Sequence, residues 1–464
     1  MPDSAALKAP PGPAYKSWSG AFKEYSRDPL AYLPRIAREY GDIVAMRYYT
    51  FRVFFINHPD FIEDVLVTHS RKFEKGRILR ANKRVFGEGL LTSEGDFWLR
   101  QRRLAQPAFH RARIAAYADT MVSYTDRLLR EWKNGQECDV HAEMMRLTLQ
   151  IVAKTLFDAD VDQEVRQVGH ALESLMELNA NFRKLLLTPS WLPTPTNIRS
   201  SIATRQLNKI IYRIINERRA TGRDAGDLLS MLLAAQDEDG SRMSDQQLRD
   251  ESMTIFLAGH ETTANALSWT WYLLSKNPST EEKLHEEIDR VLAGRLPTLG
   301  DLPNLRYTGH VVTESLRLYP PAWGMPRLAI EDVEIGGYTV PKGSGVTMSQ
   351  WVVHRDPRWF DQPDEFQPER WAGDLAKRLP RFAYFPFGGG PRQCIGNSFA
   401  LMEAALILAT IAQRFRVRVL PDCPVVPLPS ITLRPKNGIR VLLESRSAAA
   451  RKVSASEVQP TVAP

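Results

Sequence analysis

Cysteine is scarce: the chain of 464 residues has only Cys138, Cys394 and Cys423, spread far apart. A disulfide framework is therefore unexpected, and no Cys-x-x-Cys or paired-histidine spacing marks a structural zinc site. Reduced thiols and a cytoplasmic location are the corresponding expectations. Long apolar runs are missing too. A bilayer span needs ~20 such residues, whereas the best candidate, Ala404 to Ala412, is short and flanked by Glu403 and Arg414. The amino terminus lacks a basic stretch followed by an apolar core, so no secretory signal is expected. Runs of one charge sign are absent: 61 Lys+Arg against 54 Asp+Glu give a net charge of +7 without an arm suited to nucleic acid. What remains, 43% hydrophobic and 25% charged residues, is the composition of a soluble globular protein.

The length alone suggests two or three domains, yet no linker or internal repeat divides the chain. Residues 1–16, with Pro10, Pro11 and Pro13, read as a flexible segment, and 445–464, rich in Ala and Ser, as a disordered tail. The span 17–444 reads as one mainly helical domain with a smaller β-rich lobe, an α+β architecture. Asp42 to Asn57 has the β-branched and aromatic content of a hairpin. Phe97 to Asn277 is mostly helical in pattern, with a break at Thr188 to Pro195. Strands are expected near Val333–Met348, turning at Gly336-Gly337, and again at Phe415–Leu420 and Gly438–Leu443.

One segment breaks its own rule. Ser244-x-x-Gln247 is a capping-box pattern and Asn277-Pro278 a stop signal, which predicts a helix over Asp245 to Lys276, about 48 Å long. From Ser252 to Ser275 its only formal charge is Glu261. A helix apolar on nearly all sides belongs in the centre of a protein, where a carboxylate is costly without partners or a task. Ala258-Gly259-His260-Glu261-Thr262-Thr263 also places weak helix formers mid-helix. Small residues at 258 and 259 would admit something large and flat against the backbone. A kinked core helix with a satisfied acid reads the same residues equally well.

The other informative stretch is Phe387-Gly-Gly-Gly-Pro-Arg-Gln-Cys-Ile-Gly396. Its glycines and proline define a tight turn that can approach a ligand closely. Cys394 precedes an apolar helical pattern, Ile395 to Ile411, where the helix dipole favours a thiolate. A phosphate loop is disfavoured because no Gly-Lys-Ser/Thr follows. A nucleophilic cysteine would want a histidine base, and no histidine occurs beyond His354. A buried structural cysteine leaves the glycines and Arg392 without a purpose.

Phe387, Gly388, Gly390, Arg392, Cys394 and Gly396 match the haem-binding loop of the cytochrome P-450 monooxygenases residue for residue. The resemblance runs roughly from Pro10 to Leu443. It implies the cytochrome P-450 fold, with haem b between the long central helix and the cysteine loop and Cys394 as iron ligand. Ala258, Glu261 and Thr262 resemble the family's acid–alcohol segment above the iron, which implies proton relay by Glu261 and organisation of dioxygen by Thr262. Glu314 and Arg317, with Arg370, resemble its structural charged triad. Trp98, Arg102, Arg327, His354 and Arg392 fall where the family places contacts to the haem propionates. Phe256, Leu257, Ala322 and Trp323, with segment Ile78–Leu91, are the implied pocket walls.

The implied activity is hydroxylation or epoxidation of a hydrophobic small molecule, such as a fatty acid or terpenoid, using dioxygen. Electrons are expected ultimately from NAD(P)H through a separate reductase and a ferredoxin or flavodoxin. Arg100, Arg103, Arg111, Arg113 and Arg392 suggest a basic docking face on a monomer without a nucleic-acid partner. A peroxide-driven peroxygenase and a non-catalytic haem sensor are the alternatives.

Overall fold

The computed structural model describes residues 9–446 except 16, 77–78, 80–81, 162–167, 170, 172–191, 237–239 and 241. Its longer helices are α1 (Pro29–Tyr40), α2 (Gly95–Ala105), α3 (Ala118–Glu131), α4 (Val140–Phe157) and α5 (Pro195–Thr221). They continue as α6 (Asp245–Lys276), α7 (Pro278–Leu292), α8 (Arg306–Leu318) and α9 (Asn397–Ala412). The strands are β1 (Ile43–Tyr48), β2 (Phe51–Ile56), β3 (Phe73–Lys75), β4 (Glu137–Asp139), β5 (Met325–Ala329) and β6 (Val333–Ile335). They end with β7 (Tyr338–Val340), β8 (Gly345–Met348), β9 (Phe415–Val419), β10 (Pro427–Pro429), β11 (Leu433–Pro435) and β12 (Arg440–Ser445).

Helix α6 has the bounds its signals dictate. The Gln247 N–H donates to Ser244 Oγ (3.2 Å) while the Ser244 N–H donates to Gln247 Oε1 (2.8 Å), a reciprocal cap. Asn277 Nδ2 closes the far end on Leu273 O (2.7 Å), and Pro278 opens α7. Helices α4, α5, α8 and α9 pack around α6, so a segment apolar on most sides is surrounded on most sides.

The main sheet has the order β1-β2-β8-β5-β3, with β2 and β8 parallel and the other pairs antiparallel. Alternation along its strands feeds two apolar layers. Ile43, Phe54, Ile56 and Met348 enter one; Val44, Val53 and Phe55 enter the other with Tyr32, Leu33 and Trp323. The β6–β7 turn holds Gly336 and Gly337 at φ of +56° and +78°, values that glycine adopts without strain. A second sheet, β4-β12-β9, closes over the helices.

The chain ends are ordered further than their composition suggests. Pro11 O accepts the Ala45 N–H (2.8 Å), and Pro10 is buried against the β lobe. Ser445 still belongs to β12, and Arg446 is buried in an ion pair with Asp289 (2.6 Å). The remainder of the two terminal expectations, and Thr188 to Trp191 of the helical break, lie outside the described residues. Among the described residues no helix is long and apolar enough to cross a membrane.

Helix α9 is buried along its length and includes a fully buried carboxyl, Glu403. The nearby Thr263 hydroxyl bonds to Gly259 O instead (3.3 Å), and neither Glu403 oxygen has a hydrogen-bond partner among the described residues. Burial pushes this carboxyl up to about 8, so the folded chain holds a proton there that the unfolded chain releases near 4.3. A raised acid favours folding at low pH, and that advantage fades as pH rises towards 8. Replacement by Gln removes the slope. The stability of Glu403→Gln relative to the parent should grow by about 1.4 kcal/mol per pH unit between pH 5 and 8. Urea midpoints check this, and a pH-independent difference would rule out the buried, protonated acid.

Candidate active site

Between Leu248 and Leu274, α6 is buried except at Ala258, Gly259, Thr262 and Tyr272. Ala258 and Thr262 lie one turn apart and open a small window in an otherwise closed helix. Thr262 Oγ1 donates to Ala258 O (2.9 Å), so the hydroxyl is held at that window by its own helix. A Cβ on Gly259 would meet Val152 at 3.1 Å, which means that this glycine serves the approach of α4 and not a flat ligand. Glu261 turns behind the window. Its Oε1 accepts Thr432 Oγ1 (2.6 Å) from the β10–β11 turn, and Asn265 Nδ2 reaches the same hydroxyl (3.3 Å). Burial raises the Glu261 carboxyl, with Thr432 and Arg434 pulling the other way.

The cysteine loop is as tight as its glycines require. Gly390 has φ +64°, and a Cβ there would lie 1.8 Å from Leu66 O. The Cys394 N–H donates to Phe387 O (3.0 Å), and Arg102 Nη1 reaches across from α2 to Gln393 O (3.0 Å). Gly396 caps α9 with a Cβ direction 3.7 Å from Phe109, so a side chain would have room. The thiol surface is exposed, yet the surrounding protein raises its pKa, against the opposing pulls of the Gly396 backbone and Arg102. This corrects the expectation of a dipole-stabilised thiolate. Helix α9 starts three residues later, and desolvation outweighs it. A bound metal cation would add to the pull of the Gly396 backbone and Arg102 towards the thiolate.

Beside the loop lies a concentration of positive charge. Lys75 of β3 and Arg327 of β5 are direct cross-strand partners, a like-charge pairing that is normally destabilising. Arg392 joins them at a cleft also lined by Leu66, Ser70 and Glu94. Its guanidinium covers the Trp98 ring at 3.8 Å, donates to Ser93 O (2.9 Å) and pairs with Glu94. Burial and the two arginines hold Lys75 well below the usual ammonium range, and burial and Arg392 hold Arg327 at about 10. Such a cluster suits a ligand with more than one carboxylate. Lys75 was not among the candidates from sequence, because a lone lysine in a three-residue strand carries no local signal.

Two of the expected propionate contacts also have partners within the protein. Arg102 is placed at the cysteine, as its bond to Gln393 shows. His354 is fully buried and accepts the Phe385 N–H on Nε2 (2.9 Å), away from the cation cluster. It belongs with the charged triad. Arg317 forks onto Glu314 (2.9 and 2.8 Å) and donates to His354 O (2.8 Å); Arg370 Nε and Trp371 Nε1 complete the Glu314 carboxylate (2.9 and 2.8 Å). Glu314, Arg317 and Arg370 therefore form one network.

Of the expected pocket walls, Phe256 packs edge-on against Phe157 of α4 (5.8 Å between centroids), and Leu257 is buried. Trp323 belongs to the β-lobe core and donates to Ser430 O (2.9 Å). Ala322 is half-buried. Positions 256, 260 and 263 share a face of α6 directed at α4, whereas 258 and 262 share the window. Ile78, Arg80 and Ala81 lie outside the described residues, as does the Arg111 side chain. Arg103 and Arg113 are exposed, but Arg392 is committed to the cluster and leaves the expected docking face.

Comparison with known proteins agrees with this geometry. Residues 10–442 match the family model for cytochrome P-450. Cyclooctatin synthase of Streptomyces melanosporofaciens is 41% identical over 415 residues, covering 88% of this chain and 90% of that protein. Cyclooctat-9-en-7-ol 5-monooxygenase of the same organism is 40% identical over 400 residues, 85% and 86% of the two chains. Pentalenene oxygenase of Streptomyces avermitilis is 37% identical over 425 residues, 91% and 94%. The chain belongs to the cytochrome P-450 family of haem-iron monooxygenases.

Proposed function

We propose that residues 17–444 form one haem domain that hydroxylates or epoxidises a terpenoid, with Cys394 Sγ as the iron ligand of haem b. The names of two relatives, a cyclooctat-9-en-7-ol monooxygenase and a pentalenene oxygenase, support the substrate class. The observation that carries the site is the like-charge pair Lys75–Arg327 next to Arg392, a cradle for the two haem carboxylates beside an exposed cysteine. Haem iron with a thiolate ligand supplies the activation of dioxygen and the insertion of one oxygen atom into substrate.

The chain's own residues divide the remaining work. Lys75, Arg327 and Arg392 bind the carboxylates, and Trp98 backs Arg392. Arg102 steadies the loop at Gln393 and lends positive charge to the sulfur. Ala258 leaves room at the window, and Thr262 Oγ1 presents a hydroxyl there. Glu261 serves as the proton-relay carboxyl one residue from that hydroxyl, buried and held by Thr432, with its acidity weakened by burial. The Glu314–Arg317–Arg370 network keeps the support of the loop rigid. Electrons come from NAD(P)H through a reductase and an acidic ferredoxin or flavodoxin, which docks where Arg103 and Arg113 are exposed.

Thr262→Ala should retain haem and the substrate-induced spin shift, while peroxide formed per NAD(P)H rises roughly tenfold, the cost of one lost hydrogen bond. Undiminished coupling of electrons to product would remove the role of Thr262. Arg103→Glu should slow reduction by the donor about fivefold at low ionic strength with unchanged haem content. Reduction kinetics identical to the parent would remove the docking face.

A further inference from the structure

The segment between Gly87 and Glu94 is tied down from two sides of the molecule. On the side of α6, the Leu90 N–H donates to Glu251 Oε2 (3.1 Å) and the Glu88 N–H to Asp250 Oδ2 (2.9 Å). Gly89 lies so close to α6 that a Cβ would fall 2.2 Å from Thr254 Oγ1. On the side of β3, the Lys75 ammonium donates to Leu90 O (3.0 Å) and Leu91 O (2.6 Å). The same residue's N–H donates to Glu94 Oε1 (2.8 Å), and Arg392 holds Ser93 O. As an ammonium, the form that a carboxylate in the cleft would favour against burial and the two arginines, Lys75 has three donors, and these two carbonyls leave one for the cleft that it lines with Arg327 and Arg392. Glu251 is fully buried, and its Oε1 has no partner among the described residues. Burial pushes this carboxyl up to about 8, against the opposing pulls of the Leu90 N–H and Lys75.

We propose that Lys75 couples the seating of haem to the position of the 87–92 loop, with Glu251 as the positioning residue that fixes the loop from α6. This rests on the reading of Lys75, Arg327 and Arg392 as the carboxylate cradle. A haem carboxylate would take the third N–H of Lys75, and the ammonium, held from the cleft, would hold Leu90 and Leu91 more firmly. In return, a loop pinned by Glu251 keeps Lys75 aimed at the cleft. Haem retention and the position of this loop, which packs on α6 at Asp250, Glu251 and Thr254, then rise and fall together.

The test uses the holoenzyme, reading backbone hydrogen exchange of the 87–94 segment and the rate of haem transfer to an excess of an acceptor protein. Glu251→Leu should speed exchange in the segment about tenfold and haem loss by roughly the same factor, although Glu251 makes no hydrogen bond to the cradle. Glu251→Gln keeps an acceptor for Leu90 N–H and should stay near the parent in both. Lys75→Met should also speed haem loss, and in that background Glu251→Leu should add little, the signature of one shared path. Faster exchange without faster haem loss in Glu251→Leu, or an equal effect in both backgrounds, would overturn the coupling and leave the cradle intact. Haem loss from Lys75→Met no faster than from the parent would overturn the cradle reading itself.

Discussion

Glu314 and Arg317 face each other with no contact with water, and much of the architecture follows from what keeps that pair tolerable. An isolated buried charge costs several kcal/mol, and removing one partner of such a pair costs about 3–5 kcal/mol. Every remaining donor and acceptor must therefore be used. Arg370, Trp371 and the Gln367 N–H converge on Glu314, while Arg317 takes the carbonyls of His354 and Glu365. These bonds clamp the 354–371 segment onto α8. His354 then holds the Phe385 N–H, and Tyr384 packs tilted against Trp371 and donates to Thr313 O (3.0 Å). Phe385 O takes Gly388 N–H, and Phe387 O takes Cys394 N–H, so the order of the cysteine loop traces back to one ion pair.

On the opposite side stands a largely buried helix with a window at Ala258 and Thr262. A window needs walls, and the walls come from distant segments: α4 behind Gly259, the β10–β11 turn behind Glu261, and the 87–92 loop over Glu251 and Thr254. The polar residues of α6 are thus not alike. Thr262 is presented at the opening, Glu261 is stored behind it, and Glu251 works one helical stretch away as an anchor. The β lobe contributes the third requirement by setting Lys75 opposite Arg327, a pairing that register alone would penalise and that a dicarboxylate would relieve.

Features with local causes were legible in the sequence. The bounds of α6 follow from Ser244, Gln247, Asn277 and Pro278, and the β6–β7 turn from two glycines. Glu314, Arg317 and Arg370 were found through motif order, and Cys394 through its loop. Features decided by what packs from afar were not. Phe256 looked like a pocket wall, but which face of α6 meets α4 depends on Phe157 and Val152, far from it in sequence. Trp323 follows a proline pair in the direction of the pocket and is nonetheless claimed by Ser430. His354 sat in a loop pattern that says nothing of Phe385. The Cys394 thiol was expected to be lowered by a helix dipole, and desolvation by the whole surrounding shell reverses the sign. Lys75 gains its meaning only from the cross-strand arginine.

The central claim, iron ligation by Cys394 in a cradle built by this chain, is tested most directly by the absorption spectrum of the ferrous–CO complex. Thiolate ligation predicts a strongly red-shifted Soret band in the parent and its replacement by an unshifted band in Cys394→His. An unshifted band in the freshly reduced parent, or a red-shifted band that survives in Cys394→His, would contradict it.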